Sequence, residues 1–340
     1  MKTTHFGKIA APRLPESHNK QQRLPASPPH WRNPLSSWTM ALTAMLLLFA
    51  VGARADGSYQ FVSVDAPGSI FFTGILGINN HGDILGVQDG ADGHAHGFAR
   101  INNQYSLIDA PGATDTNALN ITDNGDITGT FFDPAGFQHG YLLHAGQFST
   151  IDVPGAAQIN DADFEFGPGL GTAVFRMNNR GVLVGEYADP LGFSHGFASV
   201  KGYFTTLDVP GASLFPGGGS ECIAINDANV IAGVYYLDTS PPGHGFIHIH
   251  GQFLTIDYPG AGGTSGTQCN GINNLGVVVG PYSDANDNIH GFIWNNGTFT
   301  PIDYPDAPDS ESDGINDHGV IIGQYTDVFG ITHGYIAYPK

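Results

Sequence analysis

The chain has 340 residues, with 31 acidic against 12 basic side chains, and carries a formal charge of −19. So acidic a surface excludes nucleic acid and anionic membrane surfaces as partners, because phosphate backbones are held by clusters of Lys and Arg. Its 48 glycines are about twice the usual share and follow no Gly-X-Y period, which points to many tight turns.

In chain order, residues 1–38 are rich in Pro, Ser and basic residues, Met40 to Val51 is almost wholly apolar, and Ala53-Arg54-Ala55 follows. A basic leader, a core of about 7–15 apolar residues and an Ala-x-Ala site predict a secretory signal peptide cleaved after Ala55. A membrane-spanning helix needs about 20 apolar residues, so no membrane insertion is expected after cleavage. The predicted mature domain, residues 56–340, is then extracellular. Seven of the 12 basic residues fall in the leader, leaving 5 against 30 acidic ones and a formal charge of −25. Divalent cations or neutral sugars suit such a surface, although acidity also serves solubility alone.

From residue 59 onward one phrase recurs six times: Gly-Ile-Asn-x-x-Gly-x-Ile-x-Gly, then Asp, then His-Gly-Phe, then Phe-x-Thr-Ile-Asp-x-Pro-Gly-Ala, with variations. A repeat of this length is one supersecondary unit copied along the chain. The Asp of Asp-x-Pro falls at Asp65, Asp109, Asp152, Asp208, Asp257 and Asp303, in steps of 44, 43, 56, 49 and 46 residues. Each unit holds four strand-like runs, here called a, b, c and d; in the first they are Ile75–Asn79, Asp83–Gln88, Ala95–Ile101 and Tyr105–Asp109. The a–b turns end in Gly82, Gly125, Gly181, Gly276 and Gly319, with Asn229 the exception. Gly and then Asn are the residues that best tolerate the positive φ of a tight hairpin.

Four-stranded units of this size predict an all-β fold, a six-bladed β-propeller. The mature chain opens on a d-type strand, residues 59–65, and ends on a c-type strand with no d after it. The first strand is therefore expected to complete the last blade, which leaves no free sheet edge. The rings Phe98, Tyr141, Phe197, Phe246, Phe292 and Tyr335, with Phe61, Tyr105, Phe148, Phe204, Phe253 and Phe299, are expected to fill the space between blades.

These motifs, with His-Gly-Phe as at His195-Gly196-Phe197, resemble the HAF repeat, named for a His-Ala-Phe signature. Gly stands for Ala in all six copies, and the resemblance covers residues 59–340. It implies an exported, propeller-like repeat protein and brings no catalytic residue with it.

Six Asp/His pairs fall in the b–c loops: Asp89 with His96, Asp133 with His139, Asp189 with His195, Asp238 with His244, Asp284 with His290 and Asp327 with His333. Asp and His could form metal or acid–base sites, but a group present in every copy reads first as a staple of the fold. Function is then expected where copies differ. The longest step holds Asp161, Asp163 and Glu165, alternating like part of a calcium loop without its full spacing; a solvated acidic loop is the plain alternative. With Glu221, Asp284 and Asp287 these residues form the expected binding rim, and Asp161, Asp163 and Glu165 the candidate Ca²⁺ ligands. His244, His248 and His250 alternate along one strand and are the weaker candidate for a metal site. Cys222 and Cys269 hold equivalent places in adjacent repeats, as a disulfide or as two buried thiols. The sequence thus predicts a secreted, non-enzymatic binding module whose partner is a glycan or another extracellular protein. The alternative is an extracellular lyase or hydrolase using rim carboxylates.

Overall fold

The computed structural model describes residues 59–157, 171–213, 218–237 and 242–340. The predicted leader and cleavage site lie outside the described residues. The described strands make six antiparallel four-stranded sheets, each winding outward from strand a to strand d as the blade of a propeller. Blade 1 is Thr73–Ile78, Ile84–Asp89, Ala95–Ile101 and Gln104–Ile108, each run within two residues of its predicted limits. Blades 2 to 5 span residues 115–151, 172–206, 220–256 and 271–301. Blade 6 joins the two ends of the fold: Tyr59–Val64 pairs antiparallel with Thr332–Pro339, from Tyr59 opposite Pro339 to Val64 opposite Gly334. The predicted closure is therefore observed.

The turns obey the chemistry that predicted them. Gly82, Gly125, Gly181, Gly276 and Gly319 have φ between +74° and +82°, and Asn229 takes +60° in their place. A second glycine requirement comes from close approach. A Cβ on Gly86 in strand b would lie 1.8 Å from the Gly74 carbonyl oxygen, and its counterparts in blades 2 to 6 meet a backbone carbonyl at 1.9 Å. That is the reason for the second Gly of the Ile-x-Gly phrase.

Between blades sit the predicted rings. Phe98, Tyr141, Phe197, Phe246, Phe292 and Tyr335 are at most 1 % exposed. Each lies 5.2–6.0 Å, centroid to centroid, from the ring that opens its d strand. Burial of such rings is the main apolar stabilisation of the blade stack.

The axis is locked by two features. The a–b turns present Asn80, Asp123, Asn179, Asp227, Asn274 and Asp317 in strict alternation. Each backbone N–H donates to the side-chain oxygen of the next residue around the ring at 2.8–2.9 Å. Each Asn Nδ2 donates to the carboxylates on both sides at 2.9–3.1 Å. Two donors on Asn meet two acceptors on Asp, so the ring closes only when they alternate. Beneath it the guanidinium of Arg176 crosses the axis and donates to the carbonyls of Leu76, Leu119, Asn270 and Asp313. Burial lowers the Arg176 pKa to about 10, which leaves the group charged at neutral pH. The axis is thus a plug of polar groups, in which Asn270 Oδ1 and Asp313 Oδ2 are buried without a hydrogen-bond partner.

Candidate functional site

The d–a and b–c loops share the face away from the Asn/Asp ring, and a repeated clamp is built there. In every blade the His Nδ1 meets the Asp of an Asp-x-Pro element: His96 with Asp109, His139 with Asp152, His195 with Asp208, His244 with Asp257, His290 with Asp303 and His333 with Asp65, at 2.7–3.2 Å. The primary partner is thus 13 residues ahead in five blades and comes from the opposite end of the chain in the sixth. The predicted b–c loop Asp is a longer second partner in blades 2, 3, 5 and 6, where Asp133, Asp189, Asp284 and Asp327 lie 3.5–3.8 Å from Nε2. Asp238 lies outside the described residues.

Blade 1 departs from the pattern. Asp89 turns away from His96 and accepts from the amides of Ile70, Phe71 and Phe72 and the hydroxyl of Ser69, and Asp92 takes its place against His96 at 3.2 Å. Burial works against the Asp89 charge, but these hydrogen bonds outweigh it and hold the carboxyl below its usual range. The hydrogen bond that His96 donates to Asp109, against some burial, holds its pKa above the usual range. The consequence is a d–a loop shaped by Asp89 that carries Ile70 and Phe71 outward, 47 % and 66 % exposed. Under it opens a pocket of about 620 Å³ lined by Ile70, Phe71, Gln88, Asp89, His94 and Asp115 among others. The Asp115 carboxylate lies 3.4 Å from His94 Nδ1 and accepts the Ala95 amide at 2.9 Å. A smaller cavity of about 180 Å³, with Gln88, Phe98 and Tyr105 in its wall, adjoins the same seam. The volume and the mix of apolar and polar lining of the larger pocket are those of a small-ligand site, about 300–1,000 Å³.

The expected rim residues fare differently. Asp161, Asp163 and Glu165, and with them the calcium expectation, lie outside the described residues. Glu221 is not on the rim: it sits in strand a of blade 4 opposite Val234 and interacts with Glu186 of blade 3 across the blade interface. Strand a of blade 4 begins at Ser220, and its alternation turns Glu221 inward. Asp284 holds its own loop together: it accepts from the Asn288 side chain and from the Asn286 and Asn288 backbone amides, which lowers its pKa to about 2. Asp287 accepts the Thr264 amide at 2.6 Å, tying the b–c loop to the d–a loop on the expected face. Cys222 and Cys269 are not bridged; both are free and buried, each packed in the core of its own blade interface. A Cβ on Gly196 or Gly245 would lie 2.8 Å from their sulfurs, so the thiols fill the space that the His-Gly glycine leaves. His248 packs on Phe253 at 4.6 Å and His244 is held by Asp257. Among the described residues no three His, Cys, Asp or Glu side chains converge in a manner fit for a metal ion.

No protein-family model matches this chain, and no curated protein sequence matches it. Solved structures similar to it include AofleA from Arthrobotrys oligospora, at 14 % identity over 82 % of each chain with a TM-score of 0.49. The fucose-specific lectin from Aleuria aurantia is similar over 82 % of this chain and 91 % of its own, at 9 % identity and a TM-score of 0.44. That lectin is described as a six-bladed β-propeller. The likeness is one of fold.

Proposed function

We propose that this protein is an exported, non-catalytic repeat protein of HAF type that binds a neutral glycan on its loop face, at the seam between blades 6 and 1. One observation carries the reading: an exposed aromatic, Phe71, stands over a pocket of about 620 Å³ whose wall also holds His94 and Asp115. Sugars present an apolar C–H face and a rim of hydroxyls, and this wall offers a ring to the one and acceptors and donors to the other. Singly exposed apolar residues are ordinary, but here Ile70 and Phe71 are consecutive, and Val328 and Phe329 in the b–c loop of blade 6 are 76 % and 84 % exposed. That loop meets the Phe71 loop where the Thr332 amide donates to the Phe71 carbonyl at 3.0 Å. The surplus of acidic residues favours neutral over anionic saccharides. The fucose-specific lectin named above makes fucosides sensible members of the first panel and contributes nothing more.

The test is titration calorimetry of the purified chain against neutral and anionic saccharides, beside the Phe71→Ala variant. Binding of a neutral saccharide is expected, with a loss of about 1–3 kcal/mol on removal of the ring. Binding indifferent to Phe71→Ala would remove the proposed site. New reducing ends or unsaturated products from a polysaccharide would favour the lyase or hydrolase instead. Export is checked by the N-terminus of the secreted protein, expected at Asp56.

A further inference from the structure

We infer that Gln88 is the specificity residue of the seam, its side-chain amide taking a hydroxyl of a six-membered ring that fills the place of an aromatic pair absent from blade 1. The inference rests on the glycan reading above and deepens it.

In blades 2 to 6 the residue of strand b that faces the clamp His is itself a ring. Phe131, Tyr187, Tyr235, Tyr282 and Tyr325 each lie 5.0–5.3 Å from their His. In blade 1 the same register places Gln88 opposite His96. Blades 5 and 6 add a second ring from the preceding Asp-Tyr-Pro: Tyr258 lies flat on Tyr282 at 3.7 Å, and Tyr304 on Tyr325 at 3.6 Å. At the seam the matching residue is Ala66, of Asp65-Ala66-Pro67. With both rings replaced, a cavity of about 180 Å³ remains between Pro67, Gln88, Phe98 and Tyr105.

A side chain with an unpaired polar atom borders the cavity. Gln88 is 5 % exposed and its Oε1 is buried without a hydrogen-bond partner. Native interiors leave few such atoms unpaired. The last torsion of Gln is soft, so the amide turns either end toward the cavity without moving the backbone. Gln88 also lines the larger pocket, so one side chain borders both spaces. A ligand seated there has a ring face for Tyr105, which is 37 % exposed, and a hydroxyl for the amide. A planar hydrocarbon would leave Gln88 unanswered, and an anion would face Asp65, Asp92 and Asp109, the carboxylates of the two neighbouring clamps.

The experiment is calorimetry with methyl glycosides of neutral hexoses and deoxyhexoses on the full chain, comparing wild type, Gln88→Tyr, Gln88→Leu and Phe71→Ala, with a melting curve for each. Gln88→Tyr restores the residue of blades 3 to 6; it should weaken binding at least about tenfold while the melting temperature holds or rises. Gln88→Leu leaves room for a ring but removes the acceptor, and should also weaken binding. Unchanged affinity in both Gln88 variants, with loss in Phe71→Ala, overturns the role of Gln88 and leaves the glycan reading standing. A wild type that binds none of the glycosides overturns both.

Discussion

Blades 5 and 1 share strand order, hairpin type and the His–Asp clamp, and differ in what lies between clamp and outer strand. In blade 5 four rings, Tyr258, Tyr282, Phe292 and Phe299, pack with centroids 3.7–6.1 Å apart. In blade 1 only Phe98 and Tyr105 remain, 6.0 Å apart, beside Ala66 and Gln88. The loop aspartates differ in the same sense. Asp284 folds its own b–c loop, whereas Asp89 reaches across and shapes the loop that exposes Phe71. The filled boxes stabilise the ring, and the vacant one is where the ring closes and where a pocket opens. Stability forgone at one copy of a repeat is a common cost of a site, since five other copies keep the fold above threshold.

The comparison breaks most visibly if blade 6 is given the pattern of blade 1. Tyr304→Ala with Tyr325→Gln removes a pair of rings stacked at 3.6 Å. A loss of about 2–4 kcal/mol in urea unfolding is expected, less than for wholly buried rings because both are half-buried. A loss below about 1 kcal/mol would mean that the boxes are not what stabilises the blades. Next in size is Arg176→Ala. Blade 3 alone sends a guanidinium across the axis, and its removal leaves the carbonyls of Leu76, Leu119, Asn270 and Asp313 without that donor. The expected cost is about 2–3 kcal/mol, reduced to the extent that water enters the space.

Much of this was legible in the sequence because the repeat averages out local ambiguity. One hairpin with Gly at its end is weak evidence; five, with Asn229 as the lone exception, define the turn. Closure was legible because a surplus strand at one end matched a deficit at the other. The Asn/Asp alternation stood in plain view in the a–b turns, but nothing local requires it; its cause is a ring formed by residues 43 to 237 positions apart. The clamp was half legible. The b–c loop Asp was paired with His by proximity in sequence, while the shorter contact goes to the Asp-x-Pro residue across the sheet. Gln88 was missed altogether. The signal was one polar residue in a column otherwise holding Phe and Tyr, visible only once the b strands are aligned on the clamp His. The apparent rim carboxylate Glu221 went astray for the opposite reason: a Gly-rich run hid the start of a strand.

The interface between blades 3 and 4 sharpens the contrast with the seam at a middling magnitude. Where Gln324 of blade 6 lies close to Gly74 of blade 1, Glu186 of blade 3 faces Glu221 of blade 4. Burial raises Glu186 to about 7 and Glu221 above its usual range, with the Ser194 hydroxyl donating to Glu186 at 2.5 Å. A carboxyl whose folded pKa exceeds its unfolded one holds extra protons in the native state, so stability falls as pH rises from about 4.5 to about 7. Glu186→Gln removes the Glu186 share of that slope and leaves that of Glu221. The variant should match wild type near pH 4.5 and exceed it by about 1–3 kcal/mol at pH 8. A variant less stable than wild type at pH 8 would show that the carboxylate has a partner there.

The smallest expected effect lies in the clamp itself, at the point of closure. Against its burial, hydrogen bonds donated to Asp65 and Asp327 hold His333 above its usual pKa, and the Ile331 and Phe329 amides with His333 hold Asp327 below its own. The His contribution is complete below the unfolded value of about 6.5 and is lost as pH rises through the higher folded value. The Asp327 contribution is complete above about 3.8 and is lost as pH falls through its lowered folded value. The clamp therefore helps most between these limits. His333→Gln should lower the melting temperature most near pH 5–6, by on the order of a few degrees, and progressively less toward pH 8. Binding at the neighbouring seam should keep its affinity wherever the variant is folded, because His333 closes the ring and Gln88 faces the ligand. A melting difference that grows above pH 7 would mean that His333 serves as a neutral packing group, and the closure would then rest on the strand pairing of residues 59–64 with 334–339 alone.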